Sequence, residues 1–279
     1  MNIAISGASG FIGRHLLKSL AHAGHSLRAL SRHAPFAESL READVIIHLA
    51  GEPVAQRWTA EAKRRILESR VVGTRSLVEA LAALPRRPEA LICASAIGYY
   101  GSRGDEILTE SSAPGSGFLP EVCVAWEREA QAAEAFGIRV VRVRTGLVLG
   151  AGGGALPRML PAFRMGVGGR LGSGRQWMSW IHLEDLAALF QFAVESQVRG
   201  PLNAVAPHAV TNSGFTRELA RALRRPALFP VPEFALRLMF GEMADVLLAS
   251  QRVVPAAAEA AGFRFRFSQL APALEGLLQ

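Results

Sequence analysis

Seven residues near the start of the chain, Gly7-Ala8-Ser9-Gly10-Phe11-Ile12-Gly13, have the types and spacing to hold a phosphate. Gly7 can make the tight turn out of a strand. Gly10 offers backbone with no Cβ in the way of a pyrophosphate, and Gly13 lets the following helix lie close to its strand. An anion on this turn would meet the free N–H groups of the helix's first turn, where the helix dipole favours negative charge. The spacing is G-x-x-G-x-x-G, and a glycine motif alone is a weak signal, so its flanks decide. Asn2 to Ser6 is a short apolar strand signal, and Ile12, Leu16, Leu17 and Leu20 repeat at helical spacing up to Gly24. Leu27 to Leu30 reads as a second strand, which completes a mononucleotide-binding βαβ unit. Ser31 and Arg32 follow it, with no acid before Glu38. An acid there would hold a ribose 2′-hydroxyl. An arginine pairs a 2′-phosphate, so the expected cofactor is NADP (NADPH) rather than NAD.

The elements that must carry such a site recur through the first half of the chain. Ala43 to Ala50 is a third buried strand signal, and the segment Leu49-Ala50-Gly51-Glu52 at its C-terminal end is expected to line the adenine or ribose side, because ligands of open α/β sheets lie beyond those ends. His48 reads as a packed strand histidine. Thr59 is the expected cap of a helix to about Leu84, closed off by Pro85 and Pro88 and carrying Arg70. Glu89 to Ala96 is the fourth strand, with Ser95 at its end and Tyr99 and Tyr100 just beyond. A helix over Gly117 to Phe136 and a strand over Ile138 to Val143, running on through Arg144 to Gly150, follow. Alternating β and α signals argue for a doubly wound parallel sheet. The second half changes character. Glycine-rich stretches at 150–154 and 166–174 lead into Trp177, Met178 and Trp180, which are expected to wall a pocket or a lobe interface. A helix from His182 to Val194, with Asp185 in a structural role at its start, and a strand over Pro201 to Ala206 return to the sheet. Thr211 to Gln279 reads as short helices broken by Pro and Gly.

Composition narrows the class. The chain has 279 residues, half of them hydrophobic, and a net charge of +7. The basic residues are scattered and only 7% of residues are aromatic, so nucleic acid is not an expected partner. No apolar run is long enough to span a bilayer and no secretory signal is visible, so no membrane partner is expected and the setting is cytoplasmic. Cys93 and Cys123 are the two cysteines and read as core or site thiols. No histidine pair has metal-ligand spacing around His182, so no metal is expected.

Taken together, the segments GASGFIG (7–13), DVIIHLAG (44–51), SAIGYYG (95–101), RTGLVLG (144–150) and SWIHLEDL (179–186) resemble the extended short-chain dehydrogenase/reductase family, in its atypical epimerase-like branch. The run from Leu236 to Phe265 is similar to the small domain of unknown function attached to that branch. The resemblance covers nearly the whole chain. It implies a Rossmann-type doubly wound parallel sheet with a smaller, mainly helical C-terminal lobe. The NADP-binding part would be residues 1–150, with 182–206 returning to the sheet, and the substrate lobe residues 151–181 and 207–279. By residue it implies Gly7, Ser9, Gly10, Phe11, Ile12 and Gly13 at the pyrophosphate, Ser31 and Arg32 at the adenosine phosphate, Leu49, Ala50, Gly51 and Glu52 beside the adenosine, and Arg70, Ser95 and Arg144 on the cofactor face.

The chain departs from the wider family's chemistry. That family uses Tyr-x-x-x-Lys with a serine that polarises the same substrate oxygen. Here Leu119 and Cys123 stand at the tyrosine and lysine positions, and no lysine exists beyond Lys63. The nearest replacements are Ser95, Tyr99, Tyr100, Glu110 and Cys123. Tyr100 is the first choice as proton donor, with Ser95 orienting the substrate oxygen. A phenol of pKa near 10 would need a cationic neighbour such as Arg103 or Arg144. Tyr99 and Tyr100 as plain pocket wall is the competing reading. Two functions follow: an NADP-dependent oxidoreductase or epimerase on a small hydroxyl or carbonyl substrate, for instance a sugar derivative, or a non-catalytic NADP(H)-binding sensor. By analogy, a homodimer would form through the Thr59–Leu84 and Gly117–Phe136 helices.

Overall fold

The computed structural model describes residues 1–30 and 40–278. Six parallel strands form the central sheet: β1 (Asn2–Ser6), β2 (Ser26–Leu30), β3 (Val45–His48), β4 (Ala90–Ala96), β5 (Arg139–Thr145) and β6 (Gly200–Ala204). Their spatial order is β6-β5-β4-β3-β1-β2. The chain runs outward from β1 to β2 and then returns to the other side of β1 as β3. The winding direction therefore reverses between β1 and β3, the place where open α/β sheets hold ligands.

Period-two alternation sends each strand's side chains to two helical layers. Ile3, Ile5, Val45, Ile47 and Ile92 pack with Leu16 and Leu20 of α1 (Phe11–His22). Leu186, Leu189 and Phe190 of a later helix, Leu183–Glu195, share that face. On the opposite face Ala4, Ile46, Leu91 and Val140 meet Leu77 and Leu81 of α2 (Ala60–Ala82) and Trp126 and Ala130 of α3 (Phe118–Gln131). Each fully buried leucine here contributes about 2 kcal/mol of transfer free energy. Thr59 caps α2 as expected, accepting the Ala62 N–H at 3.1 Å.

The expected fold class holds, with two local differences. The run after β5 does not continue as one strand. Gly146 lies so close to the Ser179 carbonyl that a Cβ would sit 2.6 Å from it, and Leu147–Gly150 leaves the main sheet. That segment pairs instead with Trp180–His182 and with Gly153–Gly154. The helix Leu183–Glu195 is capped by His182, whose Nδ1 accepts the Glu184 N–H, rather than by an acid. Asp185 is buried and accepts the backbone N–H groups of Arg266 and Phe267, so it ties the C-terminal segment to the sheet domain. The mainly helical lobe has its own core of Leu156, Phe163, Trp180, Phe215, Leu219 and Leu274. Trp180 is wholly buried there, with its indole N–H on the His208 carbonyl, and walls no pocket.

Candidate functional site

The glycine turn and the first turn of α1 form an anion cradle at the reversal point. Gly7 has φ +71°, and a Cβ there would press on the Leu49–Ala50 peptide at 2.8 Å. A Cβ on Gly13 would overlap the Gly7 carbonyl, so glycine is what allows α1 to lie against β1. Gly10 differs, since its Cα faces open space except for the Gly7 carbonyl. It is the helix N-cap with no side-chain capping bond, which leaves the N–H groups of Phe11, Ile12 and Gly13 for an incoming anion. The Arg14 guanidinium holds the turn by donating to the Ser9 carbonyl at 2.6 Å. The Phe11 ring is gripped from the other side by Gly150, Gly153 and Gly154, where added Cβ atoms would fall 2.5–3.0 Å from it. The first glycine-rich stretch is thus a fitted seat for Phe11. Ser31 and Arg32 lie outside the described residues.

Beside this cradle the end of β3 is covered by Arg70. Its Nη1 donates to the carbonyls of Glu52 at 3.0 Å and Ile66 at 3.1 Å. Gly51 leaves room for the guanidinium, whose Cζ would be 3.1 Å from a Cβ there. The Trp126 ring lies 5.0 Å from the same carbon. Burial pulls the pKa of Arg70 below the ordinary arginine value. Its Nε and Nη2 make no hydrogen bond among the described residues. Leu49, Ala50, Gly51 and Glu52 are half-buried along the same edge. His48, below them, is closed in between Ser6 at 2.6 Å and Thr74 at 3.1 Å, the packed setting expected of it.

At the end of β4 the structure gives two of the expected catalytic residues, Ser95 and Tyr100, and the expected cofactor contact Arg144 an interior setting. Ser95, Tyr100 and Arg144 are 4%, 0% and 3% exposed. The Ser95 hydroxyl donates to Glu127 at 2.7 Å, and Arg144 forms a fork on the same carboxylate with two 2.8 Å bonds. Tyr100 donates to Asn203 Oδ1 at 2.7 Å and accepts from Arg144 Nη1 at 2.9 Å. Glu110 accepts the Asn203 N–H at 2.9 Å, which closes the network. Arg144 is thus the cationic neighbour that Tyr100 was expected to need. The cation is present, but burial outweighs it and pushes the phenol up to about 12. Arg103 pairs with Glu106 instead. Burial also acts against the Arg144 charge, yet Glu127 more than offsets it and the guanidinium stays protonated. Removing one partner of such a buried pair costs about 3–5 kcal/mol. Arg144 is therefore part of the wall's interior rather than an open cofactor contact.

Tyr99 is placed differently. Its ring is half-buried, with the Arg144 guanidinium 3.5 Å from its centroid, and its hydroxyl has no hydrogen-bond partner among the described residues. Cys123 lies beside Gly98, and burial pushes its thiol up to about 12, so it is a small apolar group and not a thiolate. The lobe closes on this edge through Gln251, which donates to the Ile97 carbonyl at 2.8 Å, and Trp177, which bonds Asp105 at 2.7 Å and carries Arg252 at 4.5 Å from its ring. Among the described residues no group of acids, histidines and cysteines could hold a metal ion. The sequence reading missed Glu127 and Asn203. Glu127 had a signal, since it stands four residues after Cys123 on the apolar face of α3.

The comparisons with known proteins agree with this architecture. The sequence model of the NAD dependent epimerase/dehydratase family matches residues 3–205, and a domain of unknown function, DUF1731, matches residues 231–277. The epimerase family protein YfhF of Bacillus subtilis is 40% identical over 298 residues, covering all of this chain and 98% of the relative. The crystal structure of the human epimerase family protein SDR39U1 (isoform 2) with NADPH superposes with a TM-score of 0.90 at 33% identity, covering 100% of this chain and 99% of that one. The nucleoside-diphosphate sugar epimerase of Corynebacterium glutamicum gives a TM-score of 0.83 at 37% identity, with all of this chain spanning 58% of that one. The chain belongs to the NAD dependent epimerase/dehydratase family and carries a C-terminal DUF1731 domain.

Proposed function

We propose that the chain is an NADPH-binding enzyme of the epimerase or oxidoreductase type, acting on a small hydroxyl- or carbonyl-bearing substrate such as a sugar derivative. The observation that carries this reading is the uncapped first turn of α1, facing the β1/β3 reversal with open space at Gly10 and Arg70 at its rim. The relative solved with NADPH supports the cofactor choice, and Arg32 is the residue proposed to pair the 2′-phosphate. A bound nicotinamide supplies hydride exchange with a substrate carbon. The chain's own residues would hold the pyrophosphate on the Phe11–Gly13 N–H groups, orient the cofactor with Arg70, and exclude water with the lobe. Tyr99 is the proposed proton donor, since its hydroxyl is the one nearby phenol not committed to another group. Ser95, Tyr100 and Arg144 then act as the frame that fixes Tyr99, not as groups that touch substrate.

A second reading, a non-catalytic NADP(H) sensor, is favoured by one observation: the polar groups of Ser95, Tyr100 and Arg144 at the end of β4 are all paired inside the protein. One series of measurements separates the two. Titration with NADPH and NADH, followed by nicotinamide fluorescence, is expected to show tighter NADPH binding. Arg32→Ala should lower NADPH affinity about tenfold or more while leaving NADH nearly unchanged. Nucleotide sugars and small carbonyl compounds would then be screened for turnover. Loss of turnover in Tyr99→Phe with NADPH affinity intact supports the enzyme. Binding without turnover on any of them, or equal affinity for the two cofactors, would overturn the corresponding half of the proposal.

A further inference from the structure

One end of the C-terminal lobe combines two features that soluble surfaces keep apart. The first is a dense cationic face. On the helix Asn212–Leu223 and its C-cap, Arg217, Arg221 and Arg224 recur at helical spacing, and Arg225 follows. Arg217 and Arg221 are 76% and 78% exposed and share one carboxylate, Glu218, at 3.5 and 3.9 Å. Arg164, Arg224 and Arg225 are exposed and have no carboxylate partner among the described residues.

The second feature is a cluster of large apolar side chains in water. Met165, Val167, Leu228 and Phe229 are 71%, 54%, 77% and 63% exposed. They sit on two adjoining loops, since the Cα of Gly166 faces the Pro226 ring and that of Gly169 faces the Phe229 carbonyl. Each such side chain forgoes burial in the folded chain, which an apolar phase would return. Residues of both features line a depression of about 250 Å³: Arg170, Arg217, Ser213 and Thr216 with Leu228 and Pro230. Two guanidinium groups and two hydroxyls are among its lining; Arg170 Nη1 donates to the Ser173 carbonyl and Arg217 Nε faces Glu218, their remaining N–H groups suit a phosphate, and the apolar lining suits the chain attached to it.

We propose that this end of the lobe is a docking surface for an anionic lipid bilayer. Leu228, Phe229, Met165 and Val167 enter the interface, and the arginines meet lipid phosphates, one headgroup resting in the Arg170–Arg217 depression. Charge complementarity selects an anionic partner. Three of the four tips, Met165, Val167 and Leu228, are aliphatic with no flat face on which bases stack; with Phe229 the lone ring among them, the cluster favours a bilayer over nucleic acid. Attachment is peripheral, since no helix among the described residues is long and apolar enough to cross a membrane. This inference is independent of the proposed chemistry.

The test is sedimentation of the full chain with vesicles of phosphatidylcholine alone and with about 30% phosphatidylglycerol, at about 0.05 M and 0.3 M salt. Pelleting with the anionic vesicles is expected, at least about tenfold stronger than with neutral ones and weaker at the higher salt. Arg221→Gln with Arg224→Gln should lower binding about twenty-fold. Leu228→Ser with Phe229→Ser should lower it at both salt concentrations, and both variants should bind NADPH as the parent does. Inorganic phosphate at matched ionic strength should not compete. The proposal is overturned by absent or lipid-independent pelleting. Salt-sensitive RNA binding in place of vesicle binding would also overturn it, as would a concentration-dependent dimer that Leu228→Ser with Phe229→Ser dissolves.

Discussion

His48 shows how a residue with catalytic credentials can serve the fold instead. Its ring is sealed between Ser6 and Thr74, and burial lowers its pKa from the ordinary 6.5 to about 4. Between those two values the unfolded chain binds a proton that the folded chain does not. Stability is therefore complete above pH 6.5 and falls as pH drops toward 4, by something on the order of 3 kcal/mol from this residue. Urea unfolding from pH 7.5 to 4 should show that decline, and His48→Asn, which can still bond both hydroxyls, should flatten it. Parallel curves for the two proteins would mean that His48 is not held neutral. The same lesson applies to Ser95, Tyr100 and Arg144. Their types and neighbourhood were readable, but their partners Glu127 and Asn203 lie 32 and 103 residues away from Ser95 and Tyr100. Local spacing carries no signal for such pairings, so a satisfied interior network looks from sequence like a reactive cluster.

At the scale of elements, the contact between the glycine turn and the Leu147–Gly154 hairpin links the cofactor cradle to the lobe. A Cβ on Gly153 would fall 2.5 Å from Phe11 Cδ2 and 2.7 Å from its Cγ, atoms too near the backbone to swing clear. Gly153→Ala should push Phe11, and with it the first turn of α1, out of place. The expected result is an NADPH affinity lower by about tenfold or more with unfolding stability reduced by about 1–3 kcal/mol. Gly152→Ala, where a Cβ meets nothing within 4 Å, is the matched control and should bind as the parent does. Equal affinity in both variants would separate the hairpin from the cradle. The parallel strands and the glycine turn were legible because each is a local pattern, an apolar run or a fixed spacing. The hairpin's departure from the sheet was not, because it depends on how closely Gly146 meets Ser179, a contact between distant segments.

Over the whole molecule, the expectation of a homodimer through α2 and α3 turns on what their outer faces offer a second copy. The two helices pack side by side, and the Arg75–Glu129 fork at 3.0 and 2.7 Å fixes their relative height. Leu67, Val72 and Val124 are 38%, 51% and 40% exposed along them. An apolar groove between the C-terminal half of α2 and the turn that follows α3 is lined by Val78, Ala82, Ala132 and Phe136. A two-fold axis through this pair would place each groove against its copy, giving an isologous contact that closes without leaving an edge. Light scattering on the purified chain should give about twice the 29.9 kDa of one copy at micromolar concentration. Val72→Glu with Val124→Glu should return it to a monomer, because two copies of each charge would be buried without partners. A parent protein that stays monomeric would leave this face with another role. The arginine-rich end of the lobe is a different surface, so a dimer through α2 and α3 would carry two such ends. If both lie on one side of the two-fold assembly, vesicle binding should fall more steeply than in proportion when the Val72→Glu, Val124→Glu variant is used, since two linked contacts hold far better than one.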